Sequence, residues 1–525
     1  MAATFIVDFG NGFIFIILCL FSFLCYYFFF KKPNDSQDCD LPPSPPSLPI
    51  IGHLHLLLSL IVHKSLHKLS SKYGPILYLR VLNVPILLVS SASIAYEIFR
   101  AQDMNVSTRN LPTNEGSLFF GSSGLATAPY GDYWKFIKKL ITTKLLGPQA
   151  LERSRGIRAD EVNRFYLNLV DKATKKESVE IAEEAMKLIS NSMCKMLMGK
   201  SDHAEKVRGL VAETDVLSKK FFLAAILRKP LSKLGISVFE KDLASISSRY
   251  NDVLEKSLVE YEEDHNQSCE MLDVLLEACQ GKTKDVVKIA CLLTSLTIQL
   301  IKYFSISHFS MLVQDLFVAS TDTSTNTIQW TMAEIFNNPK ILERLREEID
   351  SVVEKTRLIQ ETDLPNLTYL QAVVKEGLRL HPPVPLVLRS FREGCEIGGF
   401  DVLEKTKLVV NCYAVMRDPD VWEYPEEFKP ERFLPSSRSY QEDEMKEEVL
   451  KYIPFGSGRR GCPGSNLAYL SVETAIGVMV QCFDWKIEGD EVNMEEARGT
   501  LTLTMAHPLK CTPLLRDLNP LRYLH

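Results

Sequence analysis

The chain has 525 residues, 46% of them hydrophobic, with 60 basic against 66 acidic side chains and a net charge of −6. That length allows a large core, and the slight acidity argues against a nucleic-acid binder, which is usually basic. The 12 cysteines form no C-x-x-C pair and no regular framework. Neither a disulfide scaffold nor a zinc site is expected, and the main body reads as one that works in a reducing compartment.

Residues 9–30 carry no charge and consist mostly of Phe, Ile, Leu and Cys, long enough to span a bilayer as a helix. Asp8 precedes the run and Lys31 and Lys32 follow it, which places the rest of the chain on the cytosolic side. A cleaved signal peptide is the weaker reading, because the run is long, no basic stretch precedes it and no small-x-small site follows. Residues 34–40 are a polar spacer. Leu41-Pro42-Pro43-Ser44-Pro45-Pro46-Ser47-Leu48-Pro49-Ile50-Ile51-Gly52 is too rich in proline for helix or ladder and reads as a stiff, extended hinge.

Strands are expected over 76–81 and 85–89, joined as a hairpin through 82–84. Ser93 is read as the cap of an amphipathic helix through Arg100. Residues 107–128, rich in Gly and Ser, read as a long irregular loop of the functional or mobile kind. A helix opens at Tyr133, with Trp134 and Lys138 four apart on one face. Residues 151–280 read as helices with charged faces. Within them, 219–234, with Phe221, Phe222 and Leu223, fits an apolar lid, a membrane contact or a core helix. The uncharged run 289–301 is too short for a bilayer and reads as a buried helix.

A central helix is expected over 314–334. Its Ser320, Asp322 and Thr323 are poor mid-helix residues that compete for backbone hydrogen bonds. They fit either a solvated face with hydroxyls bonded back or a helix opened locally beside a reaction centre. Residues 363–380 form the next predicted helix, in which Glu376 and Arg379 are three apart and can pair. An exposed pair of that kind contributes only about 0–1 kcal/mol. His381-Pro382-Pro383 ends the helix, Arg389 begins a strand, 402–414 reads as sheet, 466–482 as a long apolar helix, and 500–505 as a strand or turn.

The most informative stretch is Phe455-Gly456-Ser457-Gly458-Arg459-Arg460-Gly461-Cys462-Pro463-Gly464. Three glycines before the cysteine and one after it let the backbone approach something large and flat. Amides aimed at the sulfur, with arginines nearby, favour a thiolate. A thiolate in such a loop serves as the axial ligand of a haem iron and pushes electron density toward it. A lone cysteine is by default an inert small hydrophobe. Here all ten positions fit Phe-x-x-Gly-x-Arg-x-Cys-x-Gly, and on that motif the chain resembles the cytochrome P450 family, from end to end.

The resemblance implies a mainly α fold with a small β-sheet lobe, preceded by one N-terminal transmembrane helix. Residues 1–32 would be the anchor, 33–52 the hinge that orients the catalytic domain, and 53–525 that domain. It implies haem b held by Cys462 in a loop with Phe455, Arg460 and Gly464. Arg389 joins Arg460 at a propionate, and Trp134 and Lys138 reach one as well. Lys138 stands where the family has arginine and gives a point charge without the bidentate fork. Glu376, Arg379 and Arg432 (in Phe428-Lys429-Pro430-Glu431-Arg432-Phe433) would form a buried triad around the haem loop. Ala319-Ser320-Thr321-Asp322-Thr323-Ser324 resembles the oxygen-binding motif, in which Thr323 and Asp322 deliver protons to dioxygen. Ser320 replaces its glycine, narrowing the groove or adding a hydrogen-bonding group. The loop 107–128, residues Val384 to Leu388 and residues 500–505 would enclose the substrate. The apolar segment near 289–312 differs from the polar stretch of relatives.

No Gly-x-Gly-x-x-Gly follows a predicted strand, so electrons come from outside. The resemblance implies NADPH-cytochrome P450 reductase on the same endoplasmic reticulum membrane, its acidic surface meeting a basic proximal face. This chain would be single-pass, with the catalytic domain cytosolic. The stretches Asn411-Cys412-Tyr413-Ala414-Val415-Met416-Arg417-Asp418-Pro419 and Cys462-Pro463-Gly464-Ser465-Asn466-Leu467-Ala468 look like plant microsomal A-type members. They are most similar to a crucifer branch that modifies triterpenes and includes a desaturase of the thalianol pathway. The implied reaction uses O2 to hydroxylate or desaturate a small apolar metabolite, a triterpenoid. A flavonoid-type hydroxylase and a catalytically impaired haem-binding paralogue stay open as alternatives.

Overall fold

The computed structural model describes residues 40–57, 59, 61–82, 84–109, 124–213, short pieces between 245 and 256, 295–434, 451–499 and 502–516. The expected anchor at 9–30, most of the polar spacer, residues 110–123 of the irregular loop, the apolar stretch 219–234 and residues 289–294 lie outside them. Among the described residues no helix is long and apolar enough to cross a membrane.

The body is mainly helical and is organised around one helix, Ser295–Asn337, of 43 residues. It begins well before Gln314 because no glycine or proline interrupts the stretch. Residues 295–301 of the apolar run expected as a separate buried helix therefore join it. Ile181–Met198, Thr368–Leu380 and Ser465–Cys482 pack against this central helix. Phe317, Trp330, Leu370 and Ile476 are fully buried between them. Thr368–Leu380 crosses the central helix at Gly377, where a β-carbon would stand 2.3 Å from Thr331 Oγ1. Only glycine lets the two backbones approach this closely.

The helix predicted over 363–380 is divided. Pro365 sits in a 3-10 turn, Leu364–Asn366, and Leu367 leaves helical geometry at φ −100°, ψ 66°. The amides of Tyr369 and Leu370 that open the second part donate to Glu348 at 2.7 and 2.9 Å. A carboxylate from the neighbouring helix Pro339–Val352 thus satisfies N–H groups that a helix start leaves open.

The β lobe is a four-stranded sheet in the order β1-β2-β7-β4. β1 (Ile76–Val81) and β2 (Val84–Val89) form the predicted hairpin. β7 (Lys407–Asn411) runs parallel to β2, and β4 (Leu386–Ser390) antiparallel to β7. The sheet expected over 402–414 is broken. β6 (Phe400–Val402) pairs with β5 (Cys395–Ile397) instead. Cys412–Val415 is a helical turn, because the Asn411 side chain accepts the Ala414 amide and ends β7. After β2, the helix Ala92–Ala101 is capped by Ser91 rather than Ser93; the Ser91 hydroxyl accepts the Ile94 amide at 3.4 Å. A third sheet, β3-β9-β8, joins Val179–Glu180, Lys510–Leu515 and Phe483–Ile487. The start of the proline-rich segment lies along β1, with the Tyr78 amide donating to the Pro43 carbonyl at 2.9 Å.

Candidate active site

Cys462 lies between the 3-10 turn Gly458–Arg460 and the helix Ser465–Cys482. Gly456 and Gly458 make the loop possible with φ of 67° and 68°, a region closed to most side chains. At Gly458 a β-carbon would fall 2.1 Å from Asp103 Oδ1. Asp103 uses that space to accept the Arg459 amide at 3.0 Å and to pair with its guanidinium at 3.2 Å. The Cys462 amide donates to the Phe455 carbonyl at 3.0 Å, and the Gly464 amide donates to Cys462 Sγ at 3.4 Å. The sulfur opens onto a cavity of about 590 Å3.

Burial among protein atoms pushes the Cys462 thiol up; the Gly464 amide, Lys138 and Arg109 pull it down and are outweighed. The arginines counted on from the sequence are engaged elsewhere, Arg459 with Asp103 and Arg460 with backbone carbonyls. A bound cation is what would make this sulfur a thiolate, as metal coordination does for thiols generally.

Four cationic side chains line the same cavity: Arg109, Lys138, Arg389 and Arg460. Lys138 comes from the helix Asp132–Leu140 and donates to the Gly461 carbonyl, next to Cys462. Trp134, one turn earlier, donates its indole N–H to the Leu125 carbonyl at 3.1 Å, and the Arg460 guanidinium lies 4.3 Å from its ring. Arg460 donates to the carbonyls of Ser107, Leu125 and Ala128 at 2.7, 3.1 and 2.6 Å. Arg389, buried on β4, donates to the Leu388 carbonyl at 2.9 Å. Arg109 has no place in any sequence pattern; it donates to the Ala126 carbonyl at 3.1 Å.

Burial lowers the pKa of all four cations, and positive neighbours lower Lys138, Arg389 and Arg460 further, Arg460 to about 10. Guanidinium does not give up its proton in proteins, so the crowding is expressed as affinity for anions. The cavity also holds one carboxylate, Asp315. Burial pushes it up to about 7, against the pull of the Leu125 amide, which donates to Oδ2 at 2.7 Å, and of Arg109.

Thr323 and Ser320 face the cavity from the central helix, among the apolar side chains of Ile189, Met193, Leu316, Val318, Val384 and Val387. The helix is not opened here. Thr321 donates to the Phe317 carbonyl at 2.8 Å, Thr323 to Ala319 at 2.7 Å and Thr327 to Thr323 at 2.8 Å. Each hydroxyl returns to its own helix, and Ser320 does the same to Phe317 at 3.3 Å. Asp322 is half-buried and is not among the residues that line the cavity. Phe455 lines it and meets Tyr469 edge-on at 5.2 Å. At Gly464 a β-carbon would make only ordinary contacts, 3.8 Å from Leu146 and 3.9 Å from Cys462 Sγ.

Behind the loop the structure brings Glu376, Arg379 and Arg432 together. Glu376 accepts two bonds from Arg379, at 2.7 and 2.9 Å, one from Arg432 at 3.2 Å and one from the Lys429 amide at 2.9 Å. The side chains of Glu376 and Arg379 are fully buried. Arg379 also donates to the carbonyls of Met416, Pro425 and Glu427. Arg432 also donates to the carbonyls of Glu423 and Tyr424. The carboxylate and its arginines therefore tie Thr368–Leu380 to the meander 416–432.

The donor set suits haem b: one sulfur for the iron, cations for two propionates and apolar walls for the ring. A family model described as Cytochrome P450 matches residues 42–512. Cytochrome P450 705A22 of Arabidopsis thaliana is 62% identical, covering 98% of this chain and 99% of the relative. Cytochrome P450 705A5 of the same plant is 61% identical over 99% of this chain and 100% of its own length. Cytochrome P450 93A3 of Glycine max is 36% identical over 96% and 98%. Among solved structures, a zebrafish cytochrome P450 with abiraterone superposes with a TM-score of 0.68 at 22% identity, over 87% of this chain and 100% of its own.

Proposed function

The chain belongs to the cytochrome P450 family, as a plant A-type haem-thiolate monooxygenase, and from that premise we propose that it hydroxylates or desaturates a triterpenoid at the endoplasmic reticulum membrane. Residues 1–32 are its anchor and 33–52 its hinge, with 53–525 the catalytic domain on the cytosolic side. When bound, the haem supplies activation of dioxygen, with electrons from NADPH-cytochrome P450 reductase.

The protein's own part is binding, orientation and proton supply. Cys462 holds the iron. Arg109, Lys138, Arg389 and Arg460, with the Trp134 indole, hold the propionates through donors that already point at acceptors around the cavity. Phe455 and Gly464 shape the loop beside the sulfur. The apolar side chains of Leu316, Val318 and Val384 exclude water and receive an apolar substrate. Thr323 Oγ1 holds a proton at the cavity wall, where it would exchange its bond to the Ala319 carbonyl for one to an acceptor in the cavity. Asp322, one position earlier and partly open to solvent, replenishes that proton.

The observation that supports this reading most is that Cys462 Sγ and the Thr323 hydroxyl face one cavity with apolar walls. The test is turnover of the full chain with reductase in microsomes, offered triterpenes and then flavonoids. A product heavier by one oxygen or lighter by two hydrogens from a triterpene supports the proposal; turnover of flavonoids alone contradicts the substrate. With a substrate in hand, Thr323→Ala should lower product formed per NADPH consumed, and unaltered coupling would sink the proton role.

A further inference from the structure

Asp315 is the one acidic side chain on the central helix between Lys302 and Asp322. Asp315 is half-buried in a mainly apolar cavity wall, where a carboxylate is costly unless it is paired and hydrogen-bonded, so its partners identify what it is for. They lie on the loop segment 124–128 and at Arg109. Oδ2 accepts the Leu125 amide at 2.7 Å, the Ala126 amide also bonds the carboxylate, and the positive charge of Arg109 acts on it from the same cavity. The fit is close, since a β-carbon on Gly124 would stand 3.0 Å from Oδ2 and 3.0 Å from Thr127 Oγ1.

The carbonyls of the same segment are taken by donors on other elements. Trp134 and Arg460 both donate to Leu125, Arg109 donates to Ala126, and Arg460 to Ala128. Two arginines and an indole therefore hold the carbonyl side, whereas Asp315 holds the amide side. Leu125, Ala126, Arg109 and Asp315 all line the cavity.

We propose that Asp315 is a positioning residue whose carboxylate clamps segment 124–128 to the central helix and steadies Arg109, setting how tightly the cavity is closed to small molecules. This rests on the reading of the Cys462 cavity as the haem site. The hydrogen bonds of the clamp go to segment 124–128, whereas the sulfur takes its own from the Gly464 amide. Asp315→Ala removes both acceptors and leaves Arg109 without its carboxylate. Asp315→Asn keeps one neutral acceptor, and Gly124→Ala pushes the loop away without altering Asp315.

The test uses the full-length haem protein in nanodiscs with carbon monoxide as probe. One readout is amide exchange of segment 124–128, the other the rate of carbon monoxide recombination after photolysis of the reduced complex. Losing charge-assisted bonds should speed both by about tenfold or more in Asp315→Ala, with Asp315→Asn and Gly124→Ala between it and the wild type. The reduced carbonyl band should stay at the wild-type position in every variant. Wild-type exchange of 124–128 in Asp315→Asn and Gly124→Ala, or recombination unchanged in both, overturns the clamp. Absence of a thiolate-type band in the wild-type chain would instead overturn the haem-site reading, and the two failures are thus distinguishable.

Discussion

Two of the arginine clusters among the described residues have opposite surroundings. Around Glu376 the positive charge of Arg379 meets a carboxylate at 2.7 Å, and its remaining donors meet three carbonyls. Around the Cys462 cavity, Arg109, Arg389 and Arg460 stand with Lys138 and share one carboxylate, Asp315. The first cluster is satisfied by the protein alone and so reads as a structural knot. The second has an excess of positive charge that the protein does not neutralise. It is built for an anion of another molecule.

The largest effect that would break this contrast is Glu376→Ala. It leaves Arg379 buried and unpaired, and removal of one partner from a buried pair costs about 3–5 kcal/mol. Urea unfolding should show that loss together with poor recovery of haem protein. A loss below about 1 kcal/mol would mean that the knot is no more than a surface-grade pair.

A third buried carboxyl sharpens the point, because it has no arginine. Glu473, on the helix Ser465–Cys482, is pushed up to about 7 by burial, with only Lys375 pulling it down. Its folded pKa lies above the unfolded value, so the native state binds more protons between about pH 4.5 and 7. Stability from this group is therefore lost as pH rises through that window. Glu473→Gln should match the wild type near pH 4 and exceed it at pH 8 by up to about 3 kcal/mol, one pKa unit being worth about 1.4 kcal/mol. A difference independent of pH would contradict the assignment.

The smallest effect on folding is expected in the cavity. Arg389→Leu removes an unneutralised cation, so unfolding should change little or shift toward greater stability. Haem retention should fall, with transfer to apomyoglobin about tenfold faster, as loss of one charge-assisted bond implies. A destabilised protein that kept haem normally would reverse the roles of the two clusters.

The knot and the haem loop were legible in the sequence because their residues sit in short contiguous patterns, Glu376 to Arg379 and Phe455 to Gly464. The local spacing needs no knowledge of the fold. Arg109 was not legible, since it stands alone in Ser107-Thr108-Arg109-Asn110 before an irregular loop and no periodicity points to it. Asp315 left a signal that went unread, a carboxylate in the apolar stretch Met311 to Ala319. Its partner Leu125 is 190 positions away, and such a contact has no local trace. Ser91 and Ser93 offered two caps for one helix, and only backbone geometry decides between them. The Thr323 region misled in the other direction. Poor helix formers suggested an opening, yet their hydroxyls bond to carbonyls four residues back and the helix runs on unbroken.

The central claim is that the Cys462 cavity holds a haem by its thiolate. The most direct measurement is the carbon monoxide difference spectrum of the reduced full chain in microsomes, beside Cys462→Ala. A red-shifted Soret band of the thiolate-ligated family in the wild type, lost in the variant, is the predicted result. A wild-type band at the position of thiol or imidazole ligation, or a thiolate-type band that survives in Cys462→Ala, would contradict it.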